Sequence, residues 1–85
     1  MTPYGVFIAA EVVVQLSVCR RAEKVSVARA FDTLAGNPFR SGDYVESDSL
    51  GRPVQIMLIG RHAVCYWADH AVKEVKILDL KLAGS

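Results

Sequence analysis

Arg52, Arg61, His62, His70 and Lys73 are the side chains of this sequence whose types could act on a phosphodiester, and all lie in its second half. Cleaving RNA through its own 2′-hydroxyl needs a base at the hydroxyl, a cation on the phosphate and an acid at the leaving oxygen. Imidazole and ammonium groups can carry the protons, and a guanidinium can clamp phosphate through two parallel hydrogen bonds. On this reading Arg61, His70, Lys73 and Arg52 are the candidate catalytic residues, with His70 chosen for the proton step because a free imidazole titrates closest to neutrality. A blander reading competes with it. Arg61 and His62 are then solvated turn residues, and Asp69, His70 and Lys73 shape a turn through local hydrogen bonds and charge pairing. Nothing in the linear sequence brings the groups together, so the second reading is favoured for any one residue taken alone.

Other chemistries find less support. Cys19, His62, Cys65 and His70 show no paired ligand spacing, so no metal is expected. There is no glycine loop of the phosphate-cradling type and no Ser/His/Asp arrangement, so no cofactor is implied. The formal net charge of +1 gives no global field to draw the protein onto nucleic acid or membrane, and any such contact must rest on a local patch. Both cysteines fall in segments that read as buried, which predicts free thiols in a reducing compartment.

The elements that must position these residues are legible mostly from turn chemistry. Val54-Gln55-Ile56-Met57-Leu58-Ile59 reads as a strand, Gly60-Arg61-His62 as a reversal, and Val64-Cys65-Tyr66-Trp67 as the next strand; Ala68-Asp69-His70-Ala71 turns again before Val75-Lys76-Ile77-Leu78. The result is an antiparallel meander. Tyr66 and Trp67 must face opposite sides of their strand, and Trp67 is assigned to the core. Tyr44-Val45-Glu46-Ser47-Asp48 is polar enough to be a sheet edge, and Ser49 to Pro53 is a turn.

The first half predicts a short strand at Tyr4 to Ile8 and then two helices. The helix from about Ala9 to Cys19 places Val12, Leu16 and Cys19 on one face; that from Ala22 to Ala35 places Val25, Ala28, Phe31, Leu34 and Ala35 inward. Gly36-Asn37-Pro38 ends the second helix, with Gly36 suited to a left-handed cap and Phe39 folding back onto the helix pair. The apolar run from Val6 to Cys19 is interrupted by Glu11 and Gln15, lacks a preceding basic segment and is short of the ~20 residues a membrane span requires, so it is read as core. With 85 residues, 52% hydrophobic and 22% charged, the expectation is one ordered domain. Its class is α+β: a short N-terminal strand, two helices, then a three- to four-stranded meander with the helices on one face.

The succession Leu34-Ala35, Asn37-Pro38-Phe39, Gly42-Asp43-Tyr44, Asp48, Gly51-Arg52, Val54, Gly60-Arg61, Ala63-Val64, Tyr66-Trp67, Asp69-His70-Ala71-Val72-Lys73-Glu74-Val75 and Ile77 resembles the RelE/ParE superfamily of bacterial toxin–antitoxin toxins, in particular its compact subgroup with a turn like that from Asp69 to Val75. The resemblance implies the same order of elements and a small cytoplasmic toxin neutralised by a cognate antitoxin protein. RelE-like members cleave messenger RNA on the ribosome with basic and hydrogen-bonding residues of the sheet and C-terminus. ParE-like members act on DNA gyrase and are not nucleases. The ending Lys81-Leu82-Ala83-Gly84-Ser85 lacks the C-terminal His or Tyr of the nucleases. The resemblance implies an mRNA-cleaving translation inhibitor; the departure at the C-terminus keeps a gyrase inhibitor or an inactive antitoxin-binding module as alternatives. The antitoxin is expected to wrap the helical face around Val12, Leu16 and Val18 and to cover Arg20, Arg21 and Lys24.

Overall fold

A computed structural model describes residues 3–83. The chain runs β1 (Gly5–Ile8), α1 (Ala10–Ser17), α2 (Arg21–Gly36), β2 (Tyr44–Ser47), β3 (Pro53–Ile59), β4 (His62–Asp69) and β5 (Glu74–Leu82). β2 to β5 form the expected meander, at the upper end of the predicted strand count, and β1 joins it in parallel beside β5 to give the order β1-β5-β4-β3-β2. A parallel neighbour needs a long crossover, and here α1 and α2 carry the chain from β1 to β2 at the far edge, from which the meander returns to β5.

The meander turns where its glycines permit. Gly51 (φ 78°) and Gly60 (φ 57°) hold the left-handed conformations of the β2–β3 and β3–β4 connections, whereas the β4–β5 turn places a non-glycine, Lys73, at φ 56°. That turn is secured from outside: the Lys73 carbonyl accepts the Gly5 N–H at 3.0 Å, so β1 braces the left-handed residue. Asp69 Oδ1 accepts the Ala71 N–H at 3.2 Å in the manner of an Asx turn.

Both helices cover one face of the sheet. Val12, Val27, Phe31 and Leu34 meet Met57, Val64, Tyr66, Val75, Ile77 and Leu80 in one core cluster. Within α2 the inward face is Val27, Phe31, Leu34 and Ala35, while Val25 and Ala28, predicted to face inward, are exposed. The helix is thus rotated from the predicted stripe: Val27, Phe31, Leu34 and Ala35 hold the 3.6-residue period around Phe31, which Val25 does not. Gly36 closes the helix as its last residue, and the cap is Asn37 at φ −141° rather than a left-handed glycine. Its N–H is satisfied by the Thr33 and Leu34 carbonyls, so no reversal of handedness is needed.

Tyr66, not Trp67, is the core aromatic: it is 2% exposed and its hydroxyl reaches the Arg40 carbonyl at 3.4 Å. Trp67 sits half-buried on the opposite face with the Lys76 ammonium 5.3 Å from its ring centre. A cation–π contact at that distance offers the indole a partner that the helix-covered face does not. Phe39 is likewise exposed and does not fold onto the helices.

β2 is held to β3 through a close backbone approach at its entry. A Cβ placed on Gly42 would lie 2.5 Å from the Ile56 carbonyl oxygen, while the Gly42 N–H donates to Gln55 Oε1 at 2.8 Å and the Asp43 N–H to that same Ile56 carbonyl at 2.7 Å. Gly42→Ala is therefore expected to push β2 away from β3 and to cost about 1–3 kcal/mol by overpacking. Chemical denaturation would report it, and amide exchange should quicken at Tyr44–Ser47 before the rest of the sheet.

Candidate functional site

The candidate residues sort to the two ends of β4. Arg61 lies in the turn that precedes the strand and His70 in the turn that follows it. At ~3.3 Å per residue that separation is roughly 25–30 Å. Arg52, before β3, lies at the His70 end because β3 and β4 are antiparallel, with Gln55 opposite Tyr66. Lys73 shares the His70 turn. Arg61 therefore stands apart from Arg52, His70 and Lys73.

At the His70 end the imidazole is exposed and built into an aromatic group. Its ring stacks on Phe39 with centroids 4.6 Å apart and planes 9° from parallel, Tyr4 meets both rings edge-on, and the Tyr4 hydroxyl lies 2.8 Å from Nδ1. The side chain thus bonds to Tyr4. A cleft of about 320 Å³ opens beside this group, lined by Phe39, Arg40, Ser41, Gln55, Trp67 and His70. Around the edge, Arg52 is held by Asp48 (Nε to Oδ2, 2.9 Å), and Lys76 by Asp69 at 3.0 Å. Arg52 and Trp67 line a second, smaller depression of about 300 Å³. Such a surface can stack a flat ring and place cations near a phosphate.

At the other end of β4 the chain assembles a cluster that sequence reasoning missed. Glu23 occupies the third position of α2 and accepts the Arg20 N–H at 3.2 Å, half of a capping box. The same carboxylate receives Arg61 through two hydrogen bonds, 2.9 Å from Nε and 3.2 Å from Nη2, and lies 3.4 Å from His62 Nδ1. His62, at 7% exposure, is the buried polar side chain of the described core, turned inward because it alternates with Val64 and Tyr66 toward the helices. Its Nε2 lies 3.6 Å from Cys19 Sγ, just past the end of α1. The hydrogen bonds from Arg61 hold the Glu23 carboxyl below the usual carboxylate range against the opposing effect of burial, helped by the Arg20 N–H and His62; Arg61 is pushed up in return. A Glu three residues after Arg20, where a capping box would place it, is the one sequence signal near this cluster, and it says nothing of partners so distant in the chain.

The residues nominated for partner contact are divided by the fold. Val12 is 0% exposed beneath α1 and offers no surface, because it is the residue by which α1 docks on the sheet. Leu16 is partly buried against the same core. Arg20, Arg21 and Lys24 are exposed at the start of α2. The outward apolar residues of this region are Val13, Val14 and Val18, joined by Phe7 and Ile8 on edge strand β1.

Glu23, Asp48 and Asp69 share one consequence for acid stability. Asp48 is lowered first by the Arg52 N–H, and Asp69 first by Lys76. Each folded-state value lies below the ordinary carboxyl value, about 4.5 for Glu and 3.8 for Asp, so the unfolded chain binds the extra protons as pH falls. The stabilisation is therefore complete above the ordinary values and is lost as pH drops through the folded ones. Thermal melts should be nearly flat from pH 7 to pH 5 and decline below about pH 4.5, with a shallower decline in Glu23→Gln. A Glu23→Gln variant with an unchanged acid limb would show that the Arg61 pair contributes nothing to it.

No family model matches the sequence, and no curated protein matches it. Among solved structures, the chain is similar to a chain of the archaeal RelE–RelB complex from Pyrococcus horikoshii OT3, with a TM-score of 0.80 and 25% identity over 99% of this chain and 98% of that one. It is also similar to a chain of the toxin–antitoxin complex RelBE2 from Mycobacterium tuberculosis, with a TM-score of 0.79 and 22% identity over 100% and 97%.

Proposed function

We propose that this chain, which has the fold of the RelE toxins along its whole length, is the toxin of a toxin–antitoxin pair and acts by cleaving messenger RNA. The observation that carries the toxin reading is the end-to-end structural match to a chain solved in a RelE–RelB complex. A further support is physical. A small domain that leaves Val13, Val14, Val18, Phe7 and Ile8 exposed in consecutive elements has surface that a wrapped antitoxin segment would cover, ordering as it binds. The exposed Arg20, Arg21 and Lys24 beside it suit an acidic segment.

For RNA, the His70 end of the sheet is the better candidate surface. Phe39 and His70 can stack a base, Arg40 lines the same cleft, Arg52 and Lys73 belong to the turns at that end of the sheet and could meet phosphate, and His70 is the group that can carry a proton. Arg61 joins such a site only if the RNA also reaches the far end of β4 and displaces Glu23. A second reading, a gyrase inhibitor or an inactive antitoxin-binding module, is favoured by one observation: Arg52 and Arg61 are both already paired with carboxylates, so phosphate must compete for each. The site of action on either reading is the cytoplasm, and no helix among the described residues is long and apolar enough to cross a membrane.

Induction of the protein in cells, with and without the product of the adjacent reading frame, tests both levels. Growth arrest relieved by the neighbour supports the toxin reading. Loss of translation with fragmented mRNA supports cleavage, and DNA damage with translation intact replaces it with the gyrase reading. A protein that is harmless and ignores its neighbour's product removes the toxin reading altogether.

A further inference from the structure

Cys19, His62 and Glu23 stand in a line whose proton inventory is constrained. Glu23 is held as a carboxylate by Arg61 and can only accept, so the His62 nitrogen 3.4 Å from it, Nδ1, carries hydrogen. In the neutral ring the lone pair then resides on Nε2, which points at Cys19 Sγ 3.6 Å away. The thiol donates its hydrogen to the Gln15 carbonyl at 3.3 Å, so rotation about the Cβ–Sγ bond must turn that hydrogen to Nε2 before transfer; the imidazole is 7% exposed, so bulk water does not separate base from thiol. The sulfur itself is half-buried and borders a cleft of about 420 Å³ between the end of α1 and the end of β5, lined also by Gln15, Val18, Leu80 and Lys81. The charged groups lining it are Glu23 from α2, Arg61 from the β3–β4 turn and Lys81 from β5, with His62 from β4. Of these, Arg61 is paired with Glu23, and the Lys81 ammonium lies 3.8 Å from the Glu46 carboxylate.

We propose that Cys19 is a nucleophilic thiol with His62 as its general base and Glu23 as the positioning residue, and that it is a modification site for hydroperoxides. This assignment stands independently of the toxin reading. In the reaction the sulfur attacks one peroxide oxygen as Nε2 takes the thiol proton. The O–O bond breaks, and the departing oxygen receives that proton and leaves as water or an alcohol. Sulfur is oxidised by two electrons to the sulfenic acid and the peroxide is reduced, so that R–SH and R′OOH become R–SOH and R′OH.

Cys65 supplies an internal control. It lies on the face of the sheet away from the helices, opposite Asp79, and burial with that carboxylate pushes its thiol up. It is half-buried like Cys19, but among the described residues the cysteine hydrogen-bonded to an imidazole is Cys19 and not Cys65.

The test treats the full chain with hydrogen peroxide at pH 7, traps sulfenic acid with a cyclic 1,3-dione and reads each cysteine by peptide mass. Cys19 is expected to be labelled at least ~10-fold faster than Cys65, in keeping with the contribution of a positioned base. Glu23→Gln keeps an acceptor for the Arg20 N–H, and so the helix cap, but no longer orders the imidazole by charge. It is expected to lower the Cys19-to-Cys65 ratio ~10-fold in protein whose circular dichroism matches the parent. His62→Gln should lower the ratio at least as far, and if that variant does not fold, Glu23→Gln decides alone. Equal labelling of the two cysteines in the parent, or a ratio unmoved by Glu23→Gln, overturns the proposal.

Discussion

Phe31→Ala is expected to destabilise the protein by about 3–5 kcal/mol, the usual cost of losing a buried phenyl ring together with the cavity it leaves. Phe31 is 5% exposed and lies in the cluster that joins α2 to the sheet, with Leu34 and Val27 along the helix and Tyr66, Val64 and Met57 beneath. A chain of 85 residues has little to spare. Total stabilities are typically about 5–15 kcal/mol, and small domains sit low in that range because less of their surface is buried. Each kcal/mol moves the midpoint of a domain this size by roughly 4–8 °C, so the variant should melt well over ten degrees below the parent or fail to fold. A midpoint within a few degrees of the parent would contradict the packing of α2 on the sheet.

The double variant Val14→Asp, Val18→Asp should have the opposite profile, an intact fold with a lost partner. These valines are 66% and 83% exposed, so carboxylates there cost the isolated protein little. Under a docked antitoxin the same carboxylates would be desolvated among apolar groups and would repel an acidic segment. The expected loss is at least ~3 kcal/mol of binding, about a hundredfold or more in Kd, measured by titration with the purified product of the adjacent frame. In cells the variant should escape neutralisation while staying as harmful as the parent. Unchanged affinity would move the antitoxin to another face, with edge strand β2 and its exposed Tyr44 and Val45 the next surface to alter.

Much of this architecture was local and therefore legible. The order of strand, two helices and meander follows from periods of 3.6 and 2 residues interrupted by Gly51, Gly60 and Asp69-His70, since each turn is decided by the residues that make it. The exposed polar edge at Tyr44–Ser47 was readable for the same reason.

Local pattern set the succession of elements and the alternation within them, whereas phase and company came from the packing of whole elements. Alternation says that Tyr66 and Trp67 face opposite ways but leaves open which faces the helices, and that choice was made when the helices settled over the face that carries Val64 and Tyr66, leaving Trp67 to Lys76. The stripe on α2 had the same ambiguity and resolved to Val27 rather than Val25. Arg61 and His70 are close in sequence, yet an extended strand drives its ends as far apart as a chain can, so they reach opposite ends of the sheet. Glu23, Arg61, His62 and Cys19 come from separate elements and meet because the start of α2 packs against the β3–β4 turn. Such contacts between distant segments depend on the packing of whole elements, and no residue's neighbours in the chain record them.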